Sequence, residues 1–152
     1  DSVYETDASL NQYLGLHYPS SNSPDGTLKP ILEHASAPLH ALRFPQRIAK
    51  WLTELSGVID GKEEKQPSAT RALDVGCAVG GSSFELALHF SAVDAFDFSS
   101  NFIQAAERMQ KMEHVTFDVP LEGDISETIV AQHEPGVTET VASRVKFFVG
   151  DA

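Results

Sequence analysis

A short apolar run that passes directly into a turn of small residues narrows the choice of folds more than any other part of this sequence. Small side chains in such a turn let a ligand approach the backbone, and the first amides of a following helix are free to receive its polar groups. The segment therefore predicts a strand, a turn and a helix that together bind a nucleotide-like ligand. It reads Leu73-Asp74-Val75-Gly76-Cys77-Ala78-Val79-Gly80-Gly81-Ser82.

Strand and helix patterns alternate from residue 71 onward. Apolar strands separated by amphipathic helices are typical of a parallel sheet that helices cover on both faces, so we expect an α/β fold. Asn101 with Gln104 three residues later predicts a capping pair for the second of these helices. Strands are predicted at 72–75, 92–96 and 145–149, and helices at 82–90 and 102–109.

Helices are also predicted before the first strand. Residues 1–18 have the spacing of a short amphipathic helix with Asp7 as its cap, and 38–55 that of a helix that Pro45 breaks or restarts. The Pro- and Ser-rich stretch between them reads as a loop. We expect residues 1–70 to form a helical extension or lid that precedes the sheet.

A further stretch, over about 113–144, is predicted to be an insertion ahead of the last strand. Alternation of apolar and polar residues over 114–119 predicts an edge strand. Asp124 followed by Glu127 predicts the start of a short helix.

Composition and charge exclude several classes of protein. The chain has 152 residues, enough for one domain, and a formal net charge of -11, which disfavours nucleic acids and anionic membranes as partners. No stretch is long and apolar enough to predict a membrane span. The single Cys77 cannot form an internal disulfide, and with no apolar targeting segment near the N-terminus this points to the cytoplasm. The six histidines lack the spacing of metal ligands, so no metal is expected.

Two ligand classes fit the small-residue turn. Gly76, Ala78 and Gly81 give an imperfect dinucleotide fingerprint, as expected for NAD with its pyrophosphate at a helix N-terminus. Asp74 with Gly76, Ala78 and Gly80 instead gives the acidic residue and alternating small residues typical of an S-adenosylmethionine site. A sulfonium cofactor carries no phosphate and has a positive charge, so acidic surroundings suit it better.

Three carboxylates at three strand ends favour the sulfonium cofactor. Asp74 would repel a pyrophosphate but can attract the methionyl ammonium group, directly or through water. Asp97 can accept both ribose hydroxyls, a contact that NAD folds also use and that alone does not discriminate. Asp151 can accept from the adenine amino group. Each residue also has an ordinary structural explanation. Asp74 could bond to loop amides, Asp97 could cap the next helix, and Asp151 could be an ordinary turn residue.

At these residues the sequence resembles class I S-adenosylmethionine-dependent methyltransferases. More narrowly, it is similar to the methyltransferase domain of ovothiol-biosynthesis enzymes, the 4-mercaptohistidine N1-methyltransferases that follow a sulfoxide synthase portion in a larger protein. The narrower match depends on the N-terminal Tyr-Glu-Thr-Asp stretch and the Gly-Cys-Ala-Val-Gly turn. The matching stretches are 4–7, 13–14, 17–18, 72–80, 82–87, 97–99, 122–124 and 150–152.

The resemblance implies a Rossmann-like class I methyltransferase three-layer sandwich, of which 71–152 is the first half. It implies S-adenosylmethionine as cofactor and N-methylation of a small histidine-derived substrate, 5-thiohistidine, to ovothiol. It assigns no catalytic residue. The implied cofactor-binding residues are Asp74, Gly76, Cys77, Ala78, Gly80, Asp97, Phe98, Ser99, Asp151 and Ala152. The substrate candidates are Tyr4, Glu5, Asp7, Tyr13, His17, Tyr18 and Arg47.

The sequence departs from the family pattern in two places and in length. Gly81 stands where a larger, often basic residue is expected, and Ala95-Phe96 precedes Asp97 where a Gly-containing pair is usual. The family fold continues past this chain with a strand that pairs with the far side of the first strand. We therefore expect these residues to be part of a longer domain, inactive alone, with the first strand an exposed apolar edge.

Three alternatives stay open at this point. One is a nicotinamide-dependent enzyme that binds NAD at the same turn. Another is a non-catalytic module that keeps the fold as a docking surface, and the third is a methyltransferase for a different small metabolite.

Overall fold

The computed structural model describes residues 3–19, 41–56 and 68–151, and the side chains of the segment that begins at 68 from residue 71 onward. The predicted loop between the first two helices and the start of the predicted helix over 38–55 lie outside the described residues. No helix within the described ranges is both long and apolar enough to cross a bilayer.

The described helices and strands alternate as an α/β chain. A 3₁₀ turn over Val3–Glu5 precedes the helices α1 (Asp7–His17), α2 (Phe44–Leu55), α3 (Gly81–His89), α4 (Ser100–Gln110) and α5 (Glu139–Ala142). The strands are β1 (Ser68–Val75), β2 (Phe90–Asp97), β3 (Thr116–Glu122), β4 (Ile125–Val130) and β5 (Val145–Val149). The helices and strands predicted over 71–110 and 145–149 are confirmed, with small shifts at their ends except for β1, which begins earlier.

The sheet runs in the order β1-β2-β5 and all three strands are parallel. Val75 pairs with Phe96, and Phe96 pairs with Phe148, so the carboxyl ends of the strands meet at one edge. In the described part of the chain β1 pairs with β2 alone, which makes it the edge strand, as expected. The parallel sheet and its alternation with helices, predicted from the pattern, are confirmed, whereas the expected helices on the second face are absent from the described residues.

Helices pack against one face of this sheet among the described residues. Phe84 of α3 and Phe102 of α4 are buried there, together with Val93 and Ala95 of β2. The opposite face carries Leu73, which is 62% exposed. The core therefore lies between the sheet and α3 and α4.

The helix caps differ from those predicted. Thr6, not Asp7, caps α1, because its extended backbone lets its side chain accept the N–H of Ser9. Ser99, not the pair Asn101 and Gln104, caps α4 by accepting the N–H of Phe102 at 3.2 Å. In both cases a hydroxyl one position before the helix supplies the acceptor.

Pro45 lies at the start of helix α2, which confirms the predicted alternative that this proline starts a helix. It lies in the first turn of α2, where a missing N–H costs nothing and the fixed φ suits the helix.

The helix predicted from Asp124 onward is wrong, because residues 125–130 form strand β4. Gly123 adopts φ +57° in a tight turn, and β4 returns antiparallel to β3 with Phe117 opposite Ile129, both buried. The β-branched residues of β4 favour a strand, and burial of this pair outweighs the acidic start signal. The strand predicted over 114–119 exists as β3 but pairs with β4 in a separate hairpin.

Candidate functional site

The turn after β1 is held by backbone hydrogen bonds to the end of β2. The N–H groups of Gly76 and Cys77 donate to the carbonyl of Phe96 at 2.9 and 3.1 Å, and the N–H of Ala78 donates to Asp97 Oδ2 at 2.9 Å. These contacts draw the turn against the carboxyl end of the neighbouring strand.

Gly80 is required by both conformation and space. Its φ is +86°, and a Cβ there would lie 2.9 Å from the ring of Phe147. The turn can therefore pass over β5 and enter α3 only with glycine at this position.

A cavity of about 360 Å³ opens at this edge of the sheet. Its polar side chains are two phenols, Tyr4 and Tyr13, and two carboxylates, Asp97 and Asp151. Among the described lining residues there is no lysine or arginine, so the cavity is acidic. The lining residues are Tyr4, Tyr13, Val75, Gly76, Ala78, Phe96, Asp97, Phe98, Phe102, Gly150 and Asp151.

The Asp97 carboxylate is fixed by two backbone amides. Oδ1 accepts the N–H of Ser99 at 2.9 Å, and Oδ2 accepts the N–H of Ala78 at 2.9 Å. Each carboxylate oxygen has more than one lone pair, so both can still accept a hydrogen bond from a ligand. A preoriented carboxylate of this kind suits a pair of neighbouring hydroxyls.

Asp74 does not line this cavity. Its Oδ2 accepts the hydroxyls of Ser82 and Ser83, each at 2.7 Å, so it faces the first turn of α3. Its Oδ1 has no hydrogen-bond partner among the described residues. The structure thus brings two of the three predicted strand-end carboxylates, Asp97 and Asp151, to one cavity and leaves Asp74 at its side.

The N-terminal segment is fastened beside the cavity by Glu5. The Glu5 carboxylate accepts from the N–H and hydroxyl of Ser100 at 2.8 and 3.0 Å, and Asn101 Nδ2 donates to the Glu5 carbonyl at 2.8 Å. Desolvation raises the pKa of Glu5, but hydrogen bonds from Ser100, Ser99 and Asn101 outweigh it and hold that pKa below its usual 4.5. Tyr4 is thereby kept at the cavity wall, next to the edge-on ring of Phe102.

His17 links the end of α1 to the start of α3. Its Nδ1 accepts the N–H of Gly81 at 3.1 Å, and its carbonyl accepts from Gln46 Nε2. Burial lowers the pKa of His17 to about 4, so the ring is neutral near pH 7. A Cβ at Gly81 would lie 2.5 Å from Gln46 Nε2 and 2.6 Å from His17 Nδ1, which accounts for glycine where the family pattern has a larger residue.

Two more predicted residues, Tyr18 and Cys77, are buried and serve the packing around the turn. Tyr18 Oη donates to the carbonyl of Val79 at 2.7 Å, and burial raises the pKa of Tyr18 well above its usual range. Burial also raises the pKa of the Cys77 thiol, with the charges of Asp74 and Asp97 acting in the same direction. Cys77 is therefore a poor nucleophile.

The predicted site residues divide into two groups by position. Those that meet at the cavity are Gly76, Ala78, Asp97, Phe98, Asp151, Tyr4 and Tyr13. Those off its wall are Asp74, Cys77, Gly80, Ser99, Glu5, Asp7, His17, Tyr18 and Arg47, while Ala152 lies outside the described residues.

Sequence reasoning missed four residues of the wall, Val75, Phe96, Phe102 and Gly150. Val75, Phe96 and Gly150 adjoin the predicted motifs at strand ends, which is the signal that would have found them. Phe102 lies in the first turn of α4, and its helical spacing with buried neighbours marked it as core instead.

A second cavity, of about 410 Å³, shares the lining residue Tyr13 with the first. Its other lining residues come from the end of α1 and the start of α2, and are Leu16, His17, Ala41, Phe44 and Pro45. Within the described ranges no cluster of three or more His, Cys, Asp or Glu side chains has the arrangement of a metal site.

Of the comparisons with known proteins, the one with solved structures bears on the fold. The sequence matches no protein-family model and no curated protein. Among solved structures, magnesium protoporphyrin IX methyltransferase from Synechocystis PCC 6803 with bound SAH matches with a TM-score of 0.50 and 15% identity over 97% of this chain and 48% of that one. The [4+2]-cyclase SpnF matches with a TM-score of 0.49 and 13% identity over 97% of this chain and 40% of its own.

This chain spans about half the length of the methyltransferase that it matches. At 15% identity the likeness concerns the fold, which is the Rossmann-like α/β fold of that methyltransferase. The fold class expected from the sequence is therefore confirmed.

Proposed function

We propose that this chain forms the cofactor-binding part of an S-adenosylmethionine-dependent N-methyltransferase that converts a small histidine-derived substrate, 5-thiohistidine, to ovothiol. The observation that carries the proposal is the Asp97 carboxylate. Two amides orient it into an acidic cavity bordered by a turn of small residues. This is the acceptor that a ribose with two free hydroxyls requires.

The residues of the cavity wall fit the adenosine part of S-adenosylmethionine. Asp97 would hold the ribose hydroxyls, while Phe98 and Asp151 on the cavity wall would receive the adenine ring and its amino group. The free Oδ1 of Asp74 could accept the methionyl ammonium group, directly or through water. The acidic wall suits a positively charged sulfonium. The neighbour with bound SAH, the product form of this cofactor, supports the same choice.

The hydrogen bonds that the amides of the turn already make disfavour the nicotinamide alternative. A pyrophosphate needs free N–H groups at the turn and the helix start. The N–H groups of Gly76 and Cys77 donate to Phe96, that of Ala78 donates to Asp97, and that of Gly81 donates to His17. Those four amides are therefore engaged within the protein and are not free to bind a phosphate.

When bound, S-adenosylmethionine supplies an activated methyl group on a positively charged sulfur. The chain's residues then have to align an acceptor nitrogen and exclude water. Tyr4 and Tyr13 lie on the cavity wall. Desolvation and the charges of Tyr4 and Asp97 raise the pKa of Tyr13, so it stays a neutral phenol that can orient a ring. An unprotonated imidazole nitrogen needs no strong base to attack.

The choice of a histidine-derived substrate is supported by the resemblance of the N-terminal Tyr-Glu-Thr-Asp stretch and the Gly-Cys-Ala-Val-Gly turn to ovothiol-pathway methyltransferases. The same resemblance supports a longer polypeptide that includes a sulfoxide synthase portion. The single Cys77 supports a cytoplasmic location. A small molecule is then the partner, with no role for nucleic acid or membrane.

Cofactor choice is tested by calorimetric titration with S-adenosylhomocysteine and, separately, with NAD. We expect binding of the first and none of the second. Asp97→Asn should weaken S-adenosylhomocysteine binding by about tenfold or more, because a carboxylate acceptor is lost. Asp124→Asn, in the exposed turn between β3 and β4, is the matched control. Binding of NAD alone would favour the dinucleotide enzyme, and no heat with either ligand would favour a docking module.

Substrate choice is tested by incubating the chain, and a longer polypeptide that contains it, with S-adenosylmethionine and 5-thiohistidine. Mass spectrometry should detect a product heavier by one methyl group. Methyl transfer to a different small metabolite, with none to 5-thiohistidine, would replace the substrate and keep the enzyme class.

A further inference from the structure

The second cavity, between the end of α1 and the start of α2, borders the proposed cofactor site through Tyr13. A methyl acceptor must lie next to the methyl donor, so a pocket that shares a wall with the first cavity has the right location. Its volume of about 410 Å³ is within the range of small-molecule pockets.

The wall of this cavity selects against charge. Four of its six residues, Leu16, Ala41, Phe44 and Pro45, carry no polar side-chain atom. A charged group would lose hydration there without gaining an opposite charge. The rings of Tyr13 and Phe44 offer flat apolar surfaces against which a neutral aromatic ring packs well.

His17 supplies one unused hydrogen-bond donor to this wall. The side chain lines the cavity although the residue is only 4% exposed. Because Nδ1 accepts the N–H of Gly81, the proton of the neutral ring is on Nε2. Nε2 has no hydrogen-bond partner among the described residues and is not one of their fully buried unsatisfied atoms, so it is free to donate to a ligand in the cavity in place of water.

We propose that the second cavity binds the ring of the methyl acceptor as a neutral azole that carries a sulfur substituent, with His17 Nε2–H donating to that sulfur. This assignment depends on the proposed function for the identity of the ligand as a methyl acceptor. Because His17 Nε2–H donates to the sulfur, the unprotonated ring nitrogen of the ligand keeps its lone pair and can accept the methyl group. His17 thus distinguishes ligands with the sulfur substituent from those without it, and it also accepts the N–H of Gly81.

The cavity is tested by filling it. Ala41→Phe adds a ring inside the wall, and Leu55→Phe adds the same kind of bulk on an exposed position of α2, outside both cavities. Binding of 5-thiohistidine is measured by ligand-observed NMR, with and without saturating S-adenosylhomocysteine. We expect Ala41→Phe to weaken it by about tenfold or more and Leu55→Phe to leave it unchanged.

The donor is tested by comparing 5-thiohistidine with histidine, which lacks the sulfur. The parent chain should prefer 5-thiohistidine by about three- to tenfold, and His17→Phe should abolish that preference. A merely structural role of His17 would weaken binding of both ligands equally and leave their ratio unchanged, which would overturn the role of Nε2.

The results that would overturn the cavity assignment differ from those that would overturn the proposed function. Equal binding of 5-thiohistidine to the parent and to Ala41→Phe, or no binding to the parent in either condition, overturns the cavity assignment. Absence of S-adenosylhomocysteine binding counts against the proposed function, while the titrations without it still decide where the azole binds.

Discussion

The hydroxyl of Tyr18 donates a hydrogen bond of 2.7 Å to the carbonyl of Val79, inside the turn that borders the first cavity. Both residues are buried. Tyr18 directly follows α1, so this contact and the one from Gly81 to His17 tie the N-terminal helix to the turn. The N-terminal segment is therefore part of the support of the candidate site.

Replacing Tyr18 by phenylalanine should leave the Val79 carbonyl buried without its partner. We expect the free energy of unfolding to fall by about 1–2 kcal/mol, measured by urea denaturation. Tyr13→Phe is the matched control, since the Tyr13 hydroxyl makes no hydrogen bond among the described residues. An equal loss in both variants would mean that the hydrogen bond is not the cause.

Acid should destabilise the fold through His17. The unfolded side chain has its ordinary pKa of 6.5, and burial lowers the folded value to about 4. Between these pH values the unfolded chain binds the proton and the folded chain does not. The free energy of unfolding therefore falls as pH drops through this window, by on the order of 3 kcal/mol, and the contribution is flat below it.

The measurement for this acid effect is the urea midpoint at several pH values across the window, for the parent and for His17→Gln. A glutamine oxygen can still accept from Gly81 but does not titrate, so the slope against pH should be shallower. Burial also lowers the pKa of His133, which adds a smaller slope of the same sign in both proteins. Identical slopes would show that His17 is not the group responsible.

Two glycine-to-alanine changes should have opposite effects. Gly81→Ala places a Cβ against His17 Nδ1 and Gln46 Nε2, so we expect a loss of about 1–3 kcal/mol in thermal or urea unfolding. Gly15→Ala, inside α1, meets only an ordinary contact of 3.4 Å with the Phe117 ring. It should stabilise by about 0.5–1 kcal/mol. A neutral Gly81→Ala would show that His17 and Gln46 move aside freely.

Local patterns were sufficient to predict the sheet and most of the turn. β1, β2 and β5 are apolar runs bounded by small or polar residues, so their positions follow from burial alone. Asp97 and Asp151 end neighbouring parallel strands, and parallel strands bring their carboxyl ends to one edge. That geometry accounts for the presence of both carboxylates on the wall of one cavity.

Contacts between distant segments explain what the sequence did not predict. Asp74 occupies the predicted strand end, but the hydroxyls of Ser82 and Ser83 draw it toward α3. β4 is a strand because Ile129 packs against Phe117. This pairing joins two segments and cannot be predicted from either segment alone. The second cavity forms where the end of α1 and the start of α2 lie side by side, and the sequence pattern does not predict that arrangement.

Neutralising Glu5 should release the N-terminal turn from α4. Desolvation raises the pKa of Glu5, but its hydrogen bonds with Ser100 and Asn101 outweigh it, so the contact is present above pH 4.5 and is lost as pH falls below that value. Glu5→Gln should accelerate hydrogen exchange at the amides of Ser100 and Asn101. Glu54→Gln, at an exposed position of α2, should leave both amides unchanged. Unchanged exchange in Glu5→Gln would show that the carboxylate charge is not needed.

The exposed strand β1 should make the chain associate with itself. In the described part of the chain its outer backbone groups have no neighbouring strand, and Leu73 adds an exposed apolar side chain, so another copy can pair there. Leu73→Lys should reduce association measured by sedimentation velocity over a range of concentrations, because a charge on an edge strand opposes pairing. Leu55→Lys is the matched control, since Leu55 is 85% exposed on α2 and away from the sheet edge. If it reduces association equally, general hydrophobic contact is responsible, and a monomer at all concentrations would remove the edge effect altogether.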